Sequence, residues 1–134
     1  MEIIVNIVIG VLTGLYAGLI VARAARFNSA RSDLVLAIQK VGYRIDESGN
    51  TVMGNPAYLS EVYYAIAQMT SLGHSSVSPQ INSIGDDLLK ALKELTENKA
   101  SDGPTKFNAQ VTSWQKTVRA LRPDWCQLLV CGQL

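Results

Sequence analysis

The sequence predicts an all-α membrane protein, in which one N-terminal transmembrane helix continues into a small cytoplasmic bundle of about four helices. Two observations lead to this prediction. The stretch from Ile3 to Ala22 carries no charged side chain, and the rest of the chain holds amphipathic segments that begin or end near proline and glycine. The predicted domains are therefore a transmembrane helix over 1–22 and a cytoplasmic helical domain over 23–134.

The apolar stretch has the length of a membrane-spanning helix. Its twenty residues make about 30 Å of helix, which matches the hydrocarbon thickness of a bilayer. Its clearly polar members, Asn6, Thr13 and Tyr16, are uncharged, so the cost of inserting them is small. We therefore expect this helix to span the lipid bilayer.

The flanking charges predict the orientation of the span. Only Glu2 and the amino terminus precede it, whereas Arg23, Arg26 and Arg31 follow it closely. The positive-inside tendency then places the N-terminus outside and the C-terminal domain in the cytoplasm of a cell or inner membrane, with the three arginines at the membrane surface.

A cleavable signal peptide is the alternative interpretation, because residues 22–24 have a small-x-small pattern. It is less favoured, because no Lys or Arg precedes the apolar run and the run exceeds the usual length of about 7–15 residues. An uncleaved anchor fits better.

A row of small residues lies on one face of the predicted span. Gly10, Gly14 and Gly18 recur every fourth residue, with Asn6 and Ala22 on the same row. Helices in a bilayer associate through close backbone approach, which small residues permit. This row predicts packing against another helix, either in a homo-oligomer or in a complex with another protein.

The helical pattern continues beyond the span. Residues 21–31 are rich in the strong helix formers Ala and Arg, and an apolar stripe resumes at Leu34 and ends near Gly42. We expect one long helix, straight or kinked near Asn28. Residues 43–53 then change character, and their pattern fits either a short β-hairpin or a loop.

Three further helices are predicted from start signals and apolar stripes. Asn55 and Pro56 start one that ends near Gly73, and Ser78 with Pro79 starts the next, which runs to about residue 99. Pro123 ends the last. The predicted core positions of these helices are Leu59, Val62, Tyr63, Ile66, Met69, Ile81, Ile84, Leu88, Leu92, Leu95, Phe107, Val111, Trp114, Val118 and Leu121.

The sequence contains no motif for catalysis or metal binding, so we predict no enzyme, no catalytic residue and no cofactor. The single histidine, His74, is expected in a surface loop without the partners that a general base needs. With Cys126 and Cys131 it makes no convincing zinc ligand set. The net charge of +1 gives no reason to expect nucleic-acid binding.

The C-terminal tail is unusually apolar for a surface segment. Trp125, Leu128, Leu129 and Val130 fall within its last ten residues. Such a run favours association, and three roles remain open. The tail closes the end of the bundle, contacts a neighbouring subunit or another protein, or enters the membrane interface.

Two functional hypotheses follow from this architecture. In the first, the glycine-lined helices self-associate into an oligomeric membrane assembly, such as a pore or a gated membrane effector. In the second, the chain is a membrane-tethered interaction subunit or adaptor, whose helix docks into a larger complex while the bundle recruits a partner. Neither hypothesis requires an enzymatic reaction.

Overall fold

The computed structural model describes residues 1–97 and 102–129 of the 134-residue chain. This part is mostly helical, which confirms the all-α class, and it has five helices. In chain order the elements are α1 (Glu2–Lys40), β1 (Tyr43–Ile45), β2 (Thr51–Met53), α2 (Pro56–Ser71), α3 (Ser78–Glu97), α4 (Gly103–Ala120) and α5 (Trp125–Leu129).

Helix α1 is the long unbroken helix that the sequence predicts. It runs for 39 residues through Asn28 without interruption, which corresponds to about 58 Å. Its two halves have different surroundings. All side chains from Met1 to Leu19 are exposed, whereas Phe27, Leu34 and Ile38 have no exposed surface at all.

The second half of α1 forms one wall of the bundle. Helices α2 and α4 both pack against α1, and α3 contacts α2 and α4. The predicted apolar stripes supply most of the core. Of the fifteen positions predicted above, twelve are buried, Leu59 and Val111 are partly buried against them, and Tyr63 is exposed.

The segment between α1 and α2 is a β-hairpin rather than a loop. Tyr43 pairs with Met53 and Ile45 with Thr51 in antiparallel register. The Asp46 carboxylate accepts hydrogen bonds from the backbone N–H groups of Ser48 and Asn50 at 3.0 and 2.7 Å. These bonds close the turn, and the partly buried Tyr43 and Met53 attach the hairpin to the core.

The predicted boundaries of α2 are confirmed by its local geometry. The Asn55 side chain accepts a hydrogen bond from the backbone N–H of Ala57 at 2.9 Å, which makes Asn55 the N-cap with Pro56 at the first helical position. Beyond the C-terminus Gly73 has a φ of +75°. This left-handed conformation strongly favours glycine.

Candidate functional site

One helix among the described residues, α1, is long and apolar enough to cross a membrane. Its most apolar window has no part buried inside the fold. The large apolar side chains from Ile3 to Leu19 are between 75% exposed, at Ile3, and 39% exposed, at Tyr16. The first half of α1 is therefore an apolar surface that the rest of the described chain does not cover.

The glycine row lies in open space. A Cβ atom built on Gly10, Gly14 or Gly18 would meet no atom within 4 Å, apart from the backbone of its own helix. Asn6 and Ala22, predicted on the same row, are also exposed. Nothing in the described part of the chain therefore requires glycine at these three positions.

The glycine row faces away from the bundle. At about 100° per residue, the fully buried Phe27, Leu34 and Ile38 lie roughly 120–160° around the axis of α1 from Gly14. The same count places Ser32 directly in line with Gly14, and this residue is exposed. A second helix can therefore approach the row without meeting the bundle of the same chain.

The short helix α5 packs beside the apolar half of α1. The Tyr16 hydroxyl donates a hydrogen bond to the Leu129 carbonyl at 2.7 Å, and Arg23 donates to the Leu128 carbonyl at 3.1 Å. Carbonyls in the last turn of a helix have no partner within that helix, so α1 supplies the donors. Leu128 is 3% exposed, whereas Trp125 is 73% and Leu129 is 45% exposed.

The four apolar tail residues that the sequence singles out do not share one environment. Leu128 is buried within its own chain, which fits the first of the three roles that the sequence leaves open, closure of the end of the bundle, and not a contact with another subunit. Trp125 and Leu129 remain exposed. Val130 lies outside the described residues, as does Cys131.

The three arginines predicted at the membrane surface have different surroundings. Arg31 donates from Nη1 to the carbonyls of Leu121 at 2.9 Å and Arg119 at 3.3 Å, where α4 ends. Arg23 donates a hydrogen bond to a carbonyl of α5, while Arg26 is exposed. Two of the three guanidinium groups thus stabilise helix ends that follow them by some 90 to 105 residues in sequence.

The expectation that His74 lies in a surface loop is wrong. His74 is 4% exposed, and its ring packs edge-on against Phe27 with the ring centroids 4.8 Å apart. Its Nδ1 accepts a hydrogen bond from the backbone N–H of Asp124 at 3.1 Å. In the link between α2 and α3, His74 and Val77 are therefore buried with the core, while the serines between them are exposed.

The residues around His74 include a serine and an aspartate, but their geometry does not suit nucleophilic catalysis. The Ser76 hydroxyl donates to the Asp124 carboxylate, not to the imidazole. The Nδ1 atom of His74 lies 4.0 Å from that carboxylate and is occupied by the backbone N–H. In a catalytic triad the base is hydrogen-bonded to the nucleophile and oriented by the acid. Here the serine is bonded to the acid and the histidine to a backbone N–H.

Burial and hydrogen bonding shift the pKa values in this cluster. Burial lowers the pKa of His74 below its usual 6.5, and the Asp124 charge offsets only part of this effect. The hydrogen bond from Ser76 lowers the pKa of Asp124. At neutral pH the cluster therefore holds a neutral imidazole beside a carboxylate.

The lowered pKa of His74 predicts acid sensitivity. Because the unfolded chain takes up a proton near pH 6.5 while the folded chain does not, the free energy of unfolding should fall as the pH drops from 6.5 through the lower pKa of the folded state. We expect a lower Tm at about pH 5 than at about pH 7.5, measured by circular dichroism on the full chain in detergent.

The control for this prediction is His74→Asn, whose amide oxygen can accept the same backbone hydrogen bond but does not titrate. The variant should lose the dependence of Tm on pH between those two values, whatever its absolute stability. An unchanged slope in His74→Asn would contradict the role of this histidine.

The acidic residues of α3 lie on an exposed, charged face. Lys93 and Glu97 form an exposed ion pair at 3.8 Å, and Asp86 and Asp87 are exposed. Within residues 1–97 and 102–129 no group of three or more His, Cys, Asp or Glu side chains is placed to hold a metal ion. Exposed pairs of this kind contribute little to stability.

The fold and these surfaces define a helical bundle built on a helix that is long and apolar enough to span a membrane. No protein-family model, curated protein or solved structure matches this chain.

Proposed function

We propose that this chain is a non-enzymatic, single-pass membrane protein that self-associates through the glycine face of α1. In this proposal α1 enters the bilayer with its N-terminus outside, and the bundle lies in the cytoplasm. The observation that carries the proposal is the open space beside Gly10, Gly14 and Gly18 on an exposed apolar helix.

The exposure of the apolar half of α1 supports membrane insertion. Burying a large aliphatic side chain is worth about 1.5–3 kcal/mol, and this half exposes many of them, including Ile3, Ile7 and Leu12. A bilayer is the solvent that removes this cost. The unbroken passage of α1 through residues 22–24, together with the contact of Arg23 with α5, favours an anchor over a cleaved signal peptide.

The three glycines support self-association because glycine destabilises a helix and no contact within the described part of the chain accounts for it here. A glycine inside a helix is less favourable than alanine by about 0.5–1 kcal/mol, and no contact in the described part of the chain requires it at these positions. Close packing of a second helix would account for it. The same face continues beyond the span as Ala25 and Ser32, both exposed, so a neighbouring copy could stay in contact past the end of the apolar stretch.

The polar groups of the span favour a closely packed assembly over a permanently open pore. The Thr13 hydroxyl donates to the Ile9 carbonyl of its own helix at 2.8 Å. On the glycine row itself, Asn6 is the polar side chain that could bond to a neighbouring helix. A gated effector would have to rearrange so that the glycine backbone becomes exposed to water. A constitutive pore would collapse the membrane potential of cells that express the protein, and a potential-sensitive dye measures this loss.

The second candidate, a membrane-tethered interaction subunit, is favoured by a groove between α1 and α2. Leu36 and Tyr64, which are 55% and 68% exposed, line this groove. Its rim carries the ion pair between Lys40 and Glu61, at 2.7 Å. A soluble protein partner with an apolar helix face suits such a surface.

The mass of the protein in detergent and in lipid nanodiscs tests the main proposal. Self-association predicts a discrete oligomer in both, whereas the interaction-subunit candidate predicts a monomer until its partner is added. A monomer in nanodiscs at high protein-to-lipid ratio would contradict the proposal.

A further inference from the structure

The outward face of α5 presents two large apolar side chains at a defined level along α1. Trp125 and Leu129 are four residues apart, so they lie on the same side of this short helix. Both are exposed, in contrast to the buried Leu128 between them in sequence. Exposing two large apolar side chains to water in this way is energetically unfavourable.

Hydrogen bonds fix the level of α5 relative to α1. The Leu129 carbonyl is bonded to Tyr16, and the carbonyls of Gln127 and Leu128 are bonded to Arg23. Tyr16 precedes Ala22, the end of the charge-free stretch, by six residues, which is about 9 Å along the helix axis. The C-terminal end of α5 therefore lies beside the apolar part of α1.

This level matches the depth at which interfacial helices lie. Their apolar faces are buried about 5–10 Å into the boundary between headgroups and acyl chains. Tryptophan concentrates at the headgroup level, and Trp125 begins α5 on the side away from Tyr16. Leu129 lies deeper, at the Tyr16 end.

The carbonyls at the C-terminal end of α5 have hydrogen-bond partners within the protein. Away from water, each unpaired carbonyl is costly, so polar backbone groups at membrane depth must have partners within the protein. Three carbonyls of α5 receive donors from Tyr16 and Arg23. The N–H groups of Gln127 and Leu128 donate to the Asp124 carbonyl at 3.0 and 3.2 Å.

We propose that the face of α5 formed by Trp125 and Leu129 inserts into the cytoplasmic interface of the bilayer beside α1. The chain then has a second, shallow membrane contact that fixes how the bundle rests on the lipid surface. This inference depends on the proposed membrane insertion of α1, but not on self-association.

Tryptophan fluorescence tests this contact in the full-length protein. The chain has two tryptophans, and Trp114→Phe leaves Trp125 as the reporter. The variant is reconstituted into vesicles of phosphatidylcholine and phosphatidylglycerol. We expect lipids brominated near the carbonyl end of the acyl chain to quench most of the emission, and aqueous acrylamide to quench little of it.

A matched control moves the reporter to the far part of the bundle. In the variant with Trp114→Phe, Trp125→Phe and Tyr64→Trp, the new indole occupies an exposed position on α2. It should be quenched by acrylamide and unaffected by brominated lipid. If Trp114→Phe fails to fold, the wild-type chain gives the same comparison with smaller amplitude, because Trp114 is buried.

Flotation of the vesicles after a carbonate wash separates the possible failures. A chain that does not float overturns membrane insertion and this inference together. A chain that floats while acrylamide, and not brominated lipid, quenches Trp125 overturns the α5 contact alone. Protection from both quenchers also overturns it, because Trp125 would then be covered by protein and not by lipid.

Discussion

In the proposed self-associated form, replacing Gly14 by isoleucine is expected to break the oligomer into smaller species. Gly14 is the middle of the three glycines on the open face of α1, and a β-branched side chain there would hold two backbones apart. Overpacking of a close contact costs about 1–3 kcal/mol, which is roughly a 5- to 150-fold weakening of each helix contact. Mass measurement in detergent and nanodiscs reads the effect directly.

Two control variants separate a specific contact from a general effect of bulk. Gly14→Ala keeps a small side chain and should retain most of the assembly. Leu15→Phe adds bulk at a neighbouring exposed position, about 100° around the helix from Gly14, and should leave the mass unchanged. If Gly14→Ile also left the oligomer intact, the glycine face would not be the interface.

Replacing Phe27 by alanine is expected to produce the largest loss of stability in the bundle. Phe27 is fully buried at the level where α1 enters the core, and its ring packs against His74. Truncation of a buried phenylalanine to alanine typically costs about 3–5 kcal/mol. Chemical unfolding of the full chain in detergent, followed by near-ultraviolet circular dichroism, gives the free energy of unfolding.

The control for Phe27→Ala is Leu36→Ala on the same helix. Leu36 is 55% exposed, so its truncation should change the free energy of unfolding by no more than about 0.5 kcal/mol. Equal effects of the two substitutions would show that the second half of α1 is not anchored in the core as the structure describes.

The sequence was sufficient to predict the elements that have a long, regular pattern. The uncharged run from Ile3 to Ala22, the stripe on α4 and the Asn55 cap each depend on residues close together in the chain, and the structure has the corresponding helices. Helix α5 was not predicted. Its five residues are too few to show a helical period, and its position depends on Tyr16 and Arg23, more than a hundred residues earlier.

The surroundings of His74 and Arg31 could not be predicted for the same physical reason. The turn around Gly73 resembles a surface loop in sequence, but Phe27 covers its histidine from another element. Arg31 follows a membrane-like stretch, yet its guanidinium binds carbonyls at the end of α4. Both environments arise from contacts between distant parts of the chain, and no local pattern encodes them.

Because α1 is continuous, its apolar half and the bundle are expected to move together as one rigid body. No loop separates Ala22 from Lys40, a distance of about 27 Å along the axis. A change of about 10° in the tilt of the span, well within the range of tilts that membrane helices adopt, would swing the Lys40 end sideways by about 5 Å. In the proposed membrane topology, changes in bilayer thickness would thus displace the bundle without any hinge.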